Sequence, residues 1–169
     1  MPPIVVIAPE STSYQIVQRV ATELGIQDKI LLHLTGLSRS LSVARKAEEE
    51  GAYVIVARGW SANQIVEAGI RTPLVFLPIS MQDLVYVLDQ ALAKAAKPNP
   101  RVGFIVYPQL QKELVALSSL LHVDLRIYPS GSDREDMRRA IAQAVRDKVD
   151  VFIGGETSIA MAERMGLCC

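Results

Sequence analysis

Apolar runs rich in β-branched residues alternate with amphipathic stretches along the whole chain, the pattern of a parallel sheet connected by crossover helices. Seven strands are predicted, at Ile4 to Ala8, Lys29 to Leu34, Tyr53 to Ala57, Leu74 to Leu77, Val102 to Val106, Val123 to Tyr128 and Val151 to Gly154. Seven helices are predicted with them. Ile16, Val17, Val20, Ala21 and Leu24 recur at helical spacing, and Gly25 supplies the stop. Leu37, Leu41, Ala44 and Ala47 line a second helix whose acidic run, Glu48 to Glu50, reads as a solvated face ending at Gly51. Leu84, Leu88 and Leu92, with Val85, predict a long helix to about Ala96, broken by Lys97-Pro98-Asn99-Pro100.

The two sides of that breaker repeat one plan: strand, helix, strand, helix, strand, then a glycine-bearing turn into another helix. Ile4 and Val54, in the first and third strands, are 50 residues apart, and Val102 and Val151, in the corresponding strands, are 49 apart. The turns that follow read Arg58-Gly59-Trp60-Ser61-Ala62 and Gly154-Gly155-Glu156-Thr157-Ser158. Both place glycine and hydroxyl residues where a strand ends and a helix begins.

Composition narrows the partners. With 18 basic and 18 acidic side chains in 169 residues the net charge is zero, which disfavours direct contact with nucleic acid. The apolar runs are of strand length, far short of the roughly 20 residues that span a bilayer. No secretory signal pattern follows Met1-Pro2-Pro3, so a cytoplasmic location is expected. The only cysteines, Cys168 and Cys169, are adjacent and cannot staple the fold or form a spaced metal site.

In open α/β sheets, ligands sit outside the carboxyl ends of the strands, where helix N-termini present free N–H groups. Gly59, Gly154 and Gly155 would let a ligand approach the backbone, Ser61, Thr157 and Ser158 can donate to an anionic oxygen, and Arg58 can pair with a carboxylate. The alternative for the same residues is that the glycines ease the turns, Ser61 and Ser158 cap helices, and Arg58 pairs with a surface acid. Ser11, Thr12, Ser13, Ser80 and the Tyr107-Pro108 turn fall on the same edge, as caps or as ligand donors. No phosphate loop, dinucleotide fingerprint or nucleophile elbow is present. His33 and His122, inside or at the start of predicted strands, read as structural rather than as metal ligands or bases. Asp83, Asp89, Asp133, Glu135 and Asp136 read as helix-terminal or solvated charges. No catalytic residue, metal or cofactor is expected.

The stretch EEGAYVIVARGWSANQI, from Glu49 to Ile65, resembles the segment G-A-D-V-I-I-S-R-G-G-T-A of the N-terminal sensory domain of propionate catabolism activators, input domains of sigma-54-dependent transcriptional regulators. Thr72 to Ala91, Arg101 to Pro108 and Asp150 to Leu167 are similar to later segments of that domain, in order and at compatible spacing. The resemblance implies two similar, intertwined lobes, each a short parallel sheet with helices on both faces, three layers α/β/α, with a ligand cleft between them. The expected division is a first lobe over 1–75, a linking strand end and long crossover helix over 76–100, and a second lobe over 101–169.

The ligand implied is a small organic acid related to propionate metabolism, and the family's site falls on Arg58, Gly59, Ser80, Gly154 and Gly155. The sequence departs from the family at Trp60, where glycine is common; Trp60 would stack on a ligand or cover an apolar surface. Further expected partners are an ATPase and DNA-binding output domain in the parent chain, with a homodimer left open. A strand beyond Leu167 that returns to the first lobe is also implied, so the chain reads as stopping one strand early. The expected function is ligand sensing, with 71–80 as the hinge. The alternatives are an isomerase or lyase of a small carboxylic acid on the same scaffold, and a protein-interaction module.

Overall fold

The structure, a computed structural model, describes residues 3–107, 110–131 and 133–169, apart from the side chains of Leu37 and Ser38. Met1, Pro2, Pro108 and the Leu37 side chain, all used in the sequence reading, therefore lie outside the described residues. Seven strands and seven α-helices alternate among those described: β1 (Ile4–Ala8), α1 (Ser11–Glu23), β2 (Ile30–Leu34), α2 (Leu37–Glu49), β3 (Val54–Arg58), α3 (Gly59–Glu67), β4 (Leu74–Leu77), α4 (Met81–Ala95), β5 (Val102–Val106), α5 (Gln111–Leu121), β6 (Leu125–Pro129), α6 (Arg134–Arg146), β7 (Val151–Ile153) and α7 (Glu156–Arg164). The chain forms two compact units, Met1–Pro78 and Ile79–Cys169.

In the first unit the strands are parallel in the order β2-β1-β3-β4, with Ile4 opposite Ile30 on one side and Val54 on the other. Right-handed crossovers put α1 on one face of the sheet and α2 and α3 on the other. Alternation along the strands fills both faces. Val5, Ile7, Ile55 and Ala57 pack with Ala44 and Ala47 of α2 and Ala62 and Ile65 of α3, and Val6 and Ala8 turn the opposite way. Complete burial of a side chain such as Ile55 or Ile65 is worth about 1.5–3 kcal/mol.

The second unit has a parallel sheet in the order β6-β5-β7, with Val102 opposite both Leu125 and Val151. Its central strand is wholly buried from Val102 to Val106, the continuous apolar run of a strand covered on both faces. Helix α6 contributes Met137, Ala140, Ile141 and Ala144, and α4 contributes Leu84, Leu88 and Ala91. The repeat extends to the last residues. Ile55 N–H donates to the Pro73 carbonyl at 2.8 Å where β4 begins, and Phe152 N–H donates to the Cys168 carbonyl at 2.7 Å. The tail thus lies against β7 as the start of β4 lies against β3.

Three sequence expectations change in detail. Of the α1 apolar positions only Ala21 is buried and Val17 is half-buried, leaving Ile16, Val20 and Leu24 exposed. Glu48 leaves the solvated acidic face: it accepts a hydrogen bond from Arg71 N–H at 2.6 Å and lies 3.8 Å from the Arg71 guanidinium. His122 terminates α5 in the left-handed region, at φ 53, instead of opening a strand.

Candidate functional site

Each sheet has one topological switch point, where adjacent strands send their helices to opposite faces and a crevice opens at the carboxyl edge. In the first unit it lies between β1 and β3, whose connections lead to α1 and α3. In the second it lies between β5 and β7, leading to α5 and α7. The first switch point collects Ser11, Thr12, Arg58, Gly59, Trp60 and Ser61. The second collects Tyr107, Gly154, Gly155, Thr157 and Ser158. Ser80 stands apart, after β4 and at the head of α4.

Arg58 ends β3 as the N-cap of α3 in extended geometry, at φ −135° and ψ 163°, and makes no side-chain cap. Its side chain is exposed and carries no ion pair among the described residues, so the pairing with a surface acid is not seen. Gly59 enters α3 at φ +56°, a left-handed conformation that the sharp strand-to-helix turn requires. Gly59→Ala is therefore expected to cost about 1–2 kcal/mol, with Gly59→Asn tolerated better; equal urea midpoints for wild type and Gly59→Ala would refute the strain. Trp60 is half-buried, whereas Ser61 is 3% exposed, so the hydroxyl sits inside the turn rather than on its surface.

At α1 the N-cap is Glu10, which makes no side-chain cap; Ser13 Oγ donates to its carboxylate. Ser11 and Thr12 are exposed in the first turn. In the second unit Gly155 is the N-cap of α7, Thr157 is exposed, and Ser158, 1% exposed, donates from Oγ to the Gly155 carbonyl at 2.8 Å. Tyr107 is buried at the end of β5. The Ser80 hydroxyl is committed to a capping box, accepting from Asp83 N–H at 3.1 Å while Ser80 N–H donates to Asp83 Oδ2 at 3.0 Å. Asp133 likewise caps α6 through the N–H groups of Glu135 and Asp136.

The N-termini thus divide. Helices α4 and α6 are closed by side-chain caps, whereas α1, α3 and α7, which flank the switch points, make none, as is also true of α2 and α5. Uncapped first-turn N–H groups with the positive end of the helix dipole favour an anion. The sequence reading omitted two carboxylates here, Glu10 and Glu156, and the buried amide of Asn63. Each stands beside or inside one of the strand-to-helix turns, where acids are not donors to an anion and an amide within a helix carries no sequence signal of its burial.

The opposite edge of the second unit is held by charge. Arg101 Nε lies 3.2 Å and Arg126 Nε 2.8 Å from Asp124, and Lys97 Nζ lies 2.6 Å from Asp150, which also accepts from Arg101 N–H at 2.7 Å. Desolvation pushes the Asp124 carboxyl up, but hydrogen bonds from Arg126 and Arg101 outweigh it and hold it below the usual carboxylate range. The Lys97 ammonium, with Arg101 N–H, does the same for Asp150. Groups with depressed folded values stabilise above their unfolded value, roughly 3.9, and lose that contribution as pH falls through the folded one. The urea midpoint is expected to fall below about pH 4, and to fall less in Asp150→Asn; parallel pH curves would exclude this edge as a source.

An open groove of about 580 Å³ runs along β6, lined by Leu125 to Pro129 with Ala140, Gln143 and Asp147. Its carboxylate is already occupied, since Asp147 accepts from Tyr128 Oη at 2.9 Å and from Gln143 Nε2 at 2.8 Å. Burial, then the hydrogen bond to Asp147, raises the Tyr128 phenol well above its ordinary value. Among the described residues no group of three His, Cys, Asp or Glu could hold a metal ion, and no helix is long and apolar enough to cross a membrane.

Comparison with known proteins gives matches in structure and in family. An NtrC family transcriptional regulator from Clostridium acetobutylicum superposes at a TM-score of 0.79 over 99% of this chain and 84% of its own, at 14% identity, and so shares the fold. A carbohydrate transporter from Acidothermus cellulolyticus 11B, solved with myo-inositol, reaches a TM-score of 0.44 at 16% identity over 96% of this chain and 68% of its own. No curated protein matches the chain. The family model described as propionate catabolism activator matches residues 24–169.

Proposed function

Because the chain belongs to the propionate catabolism activator family, we propose that it is the ligand-sensing part of a sigma-54-dependent transcriptional regulator, binding a small organic acid related to propionate metabolism and controlling an attached ATPase and DNA-binding output domain. The observation that carries the ligand reading is the pairing of uncapped helix N-termini with an unpaired guanidinium. Helices α1, α3 and α7 make no side-chain caps at the switch points, and Arg58 stands at the head of α3 without an ion pair among the described residues. In this reading the 58–62 turn takes the carboxylate through Arg58 and the first N–H groups of α3. The 154–158 turn of the second unit offers groups of the same kind, chiefly the Thr157 hydroxyl and the first N–H groups of α7, and Glu156 beside them favours a hydroxyl or a protonated group there over a carboxylate.

Sensing requires a difference in affinity between two arrangements of the protein, because a ligand that binds both equally shifts neither. Residues 71–80 are the proposed hinge. The neighbour from Clostridium acetobutylicum, described as a transcriptional regulator, agrees with this reading.

Calorimetric titration with propionate and with three- to seven-carbon mono-, di- and tricarboxylates tests it. Saturable binding of at least one acid without turnover is the expected result. Turnover of a bound acid would favour the isomerase or lyase alternative, and no binding across the series would refute the sensor.

A further inference from the structure

Cys168 and Cys169 are the only thiols of the chain, and neither belongs to the 58–62 or the 154–158 turn. Helix α7 ends at Arg164, and the tail then runs back along β7. Hydrogen bonds hold it there. Phe152 N–H donates to the Cys168 carbonyl at 2.7 Å, and Lys94 Nζ of α4 donates to the Cys169 carbonyl. Successive side chains of an extended segment point to opposite faces, and the exposures follow: Cys168 is exposed and Cys169 half-buried.

The two thiols differ in what they can do. Cys168 is open to a reagent in solution. The Cys169 thiol donates to the Leu167 carbonyl, Sγ to oxygen 3.8 Å, and burial, then the Glu163 carboxylate, pushes its pKa up. It is therefore slow toward a reagent, yet it stands one peptide unit from any disulfide formed on Cys168. A bond between the two sulfurs makes a small ring that contains the peptide unit joining them. Across that peptide the Cα atoms stand about 3.8 Å apart, short of the roughly 4.4–6.8 Å usual for a disulfide, and the side chains point apart, so ring and extended strand exclude each other. The carbonyl carried in the ring is the one that Phe152 N–H holds.

We propose that Cys168 and Cys169 form a reversible dithiol–disulfide site, oxidised by low-molecular-weight disulfides, and that ring closure releases the tail from β7. The Cys168 thiolate attacks one sulfur of the reagent, whose S–S bond breaks and whose other half leaves as a thiolate and takes up a proton. The Cys169 thiolate then attacks Cys168 Sγ and expels the second half. The protein loses two electrons and two protons, and the reagent is reduced to two thiols. Because the cysteines are adjacent, no loop of the chain is closed and the bond acts on the tail alone. Phe152 stands two residues before Gly154, so the freed edge belongs to the strand that carries the 154–158 turn. The proposal is independent of the ligand reading.

Hydroxyethyl disulfide added to the full 169-residue chain tests it, read by intact mass and by amide hydrogen exchange. Wild type is expected to lose two hydrogens as a monomer and to retain no adduct, and with only two cysteines present that product is the 168–169 bond. Cys169→Ser should stop at a stable mixed disulfide on Cys168. Exchange at the Phe152 amide should quicken by about tenfold or more when the ring closes, and return to its starting rate with a thiol reductant. A mixed disulfide that accumulates on wild type, a disulfide-linked dimer in place of the ring, or Phe152 protection unchanged by ring closure overturns the proposal.

Discussion

Replacing Arg58 with alanine is expected to weaken carboxylate binding about 10- to 150-fold, the loss of a charge-assisted hydrogen bond of roughly 1.5–3 kcal/mol. The effect is large because no described residue competes for the guanidinium: Arg58 is exposed, holds no ion pair among the described residues, and sits where the first N–H groups of α3 are uncapped. Arg58→Lys keeps the charge and loses the bidentate geometry, so it should recover part of the affinity. Arg134→Ala, at an exposed arginine in the first turn of α6, serves as the control for net charge. Calorimetry with the acid identified by titration decides: an Arg58→Ala affinity within twofold of wild type would remove Arg58 from the site.

The largest stability effect is expected at Gly154. A β-carbon there would run into Ser158 Oγ and stand 2.8 Å from Cγ2 of Ile105, one of the fully buried side chains of β5. Neither neighbour can withdraw freely, since Ser158 is held by its hydrogen bond to the Gly155 carbonyl and Ile105 by the packed sheet. Gly154→Ala should therefore cost about 1–3 kcal/mol, lowering Tm by roughly 2–12 °C. Adding Ser158→Ala removes the closer obstacle and should recover part of the loss. An unchanged Tm in the single variant would show that the backbone at this turn yields, and that the close approach is not a constraint.

In sequence Gly154 and Gly59 read alike, as glycines that let a ligand approach the backbone, and they are glycine for different reasons. Gly59 needs a left-handed backbone with open space around it, whereas Gly154 needs the absence of a side chain at an ordinary backbone conformation. Chain order does not distinguish the two cases, because the crowding at Gly154 comes from the folded positions of Ser158, in the first turn of α7, and Ile105, on a neighbouring strand. Ser80 shows the same limit. Its position before a helix is readable as a cap or as a ligand donor, and the reciprocal bonds with Asp83 commit it to the cap.

Strand and helix order was legible almost throughout because each local signal agreed with its neighbours. β-branched runs of four to six residues, 3.6-residue apolar spacing and glycine stops all marked the same boundaries. The duplication was legible as well, through the 50- and 49-residue spacings and the two turns. Burial was less so. Ile16, Val20 and Leu24 form as regular an apolar stripe as Leu84, Leu88 and Ala91, yet the first is exposed and the second buried.

The sequence by itself determined the order of elements, the parallel class of the sheets and the position of the two glycine turns, since these follow from periodicity and backbone preference within a dozen residues. The tertiary structure alone decided which apolar faces are covered, which hydroxyls are spent on caps and which helix N-termini stay open. Those outcomes depend on the neighbour each residue meets across the sheet, and that neighbour is set by strand order and crossover hand rather than by anything near it in the chain.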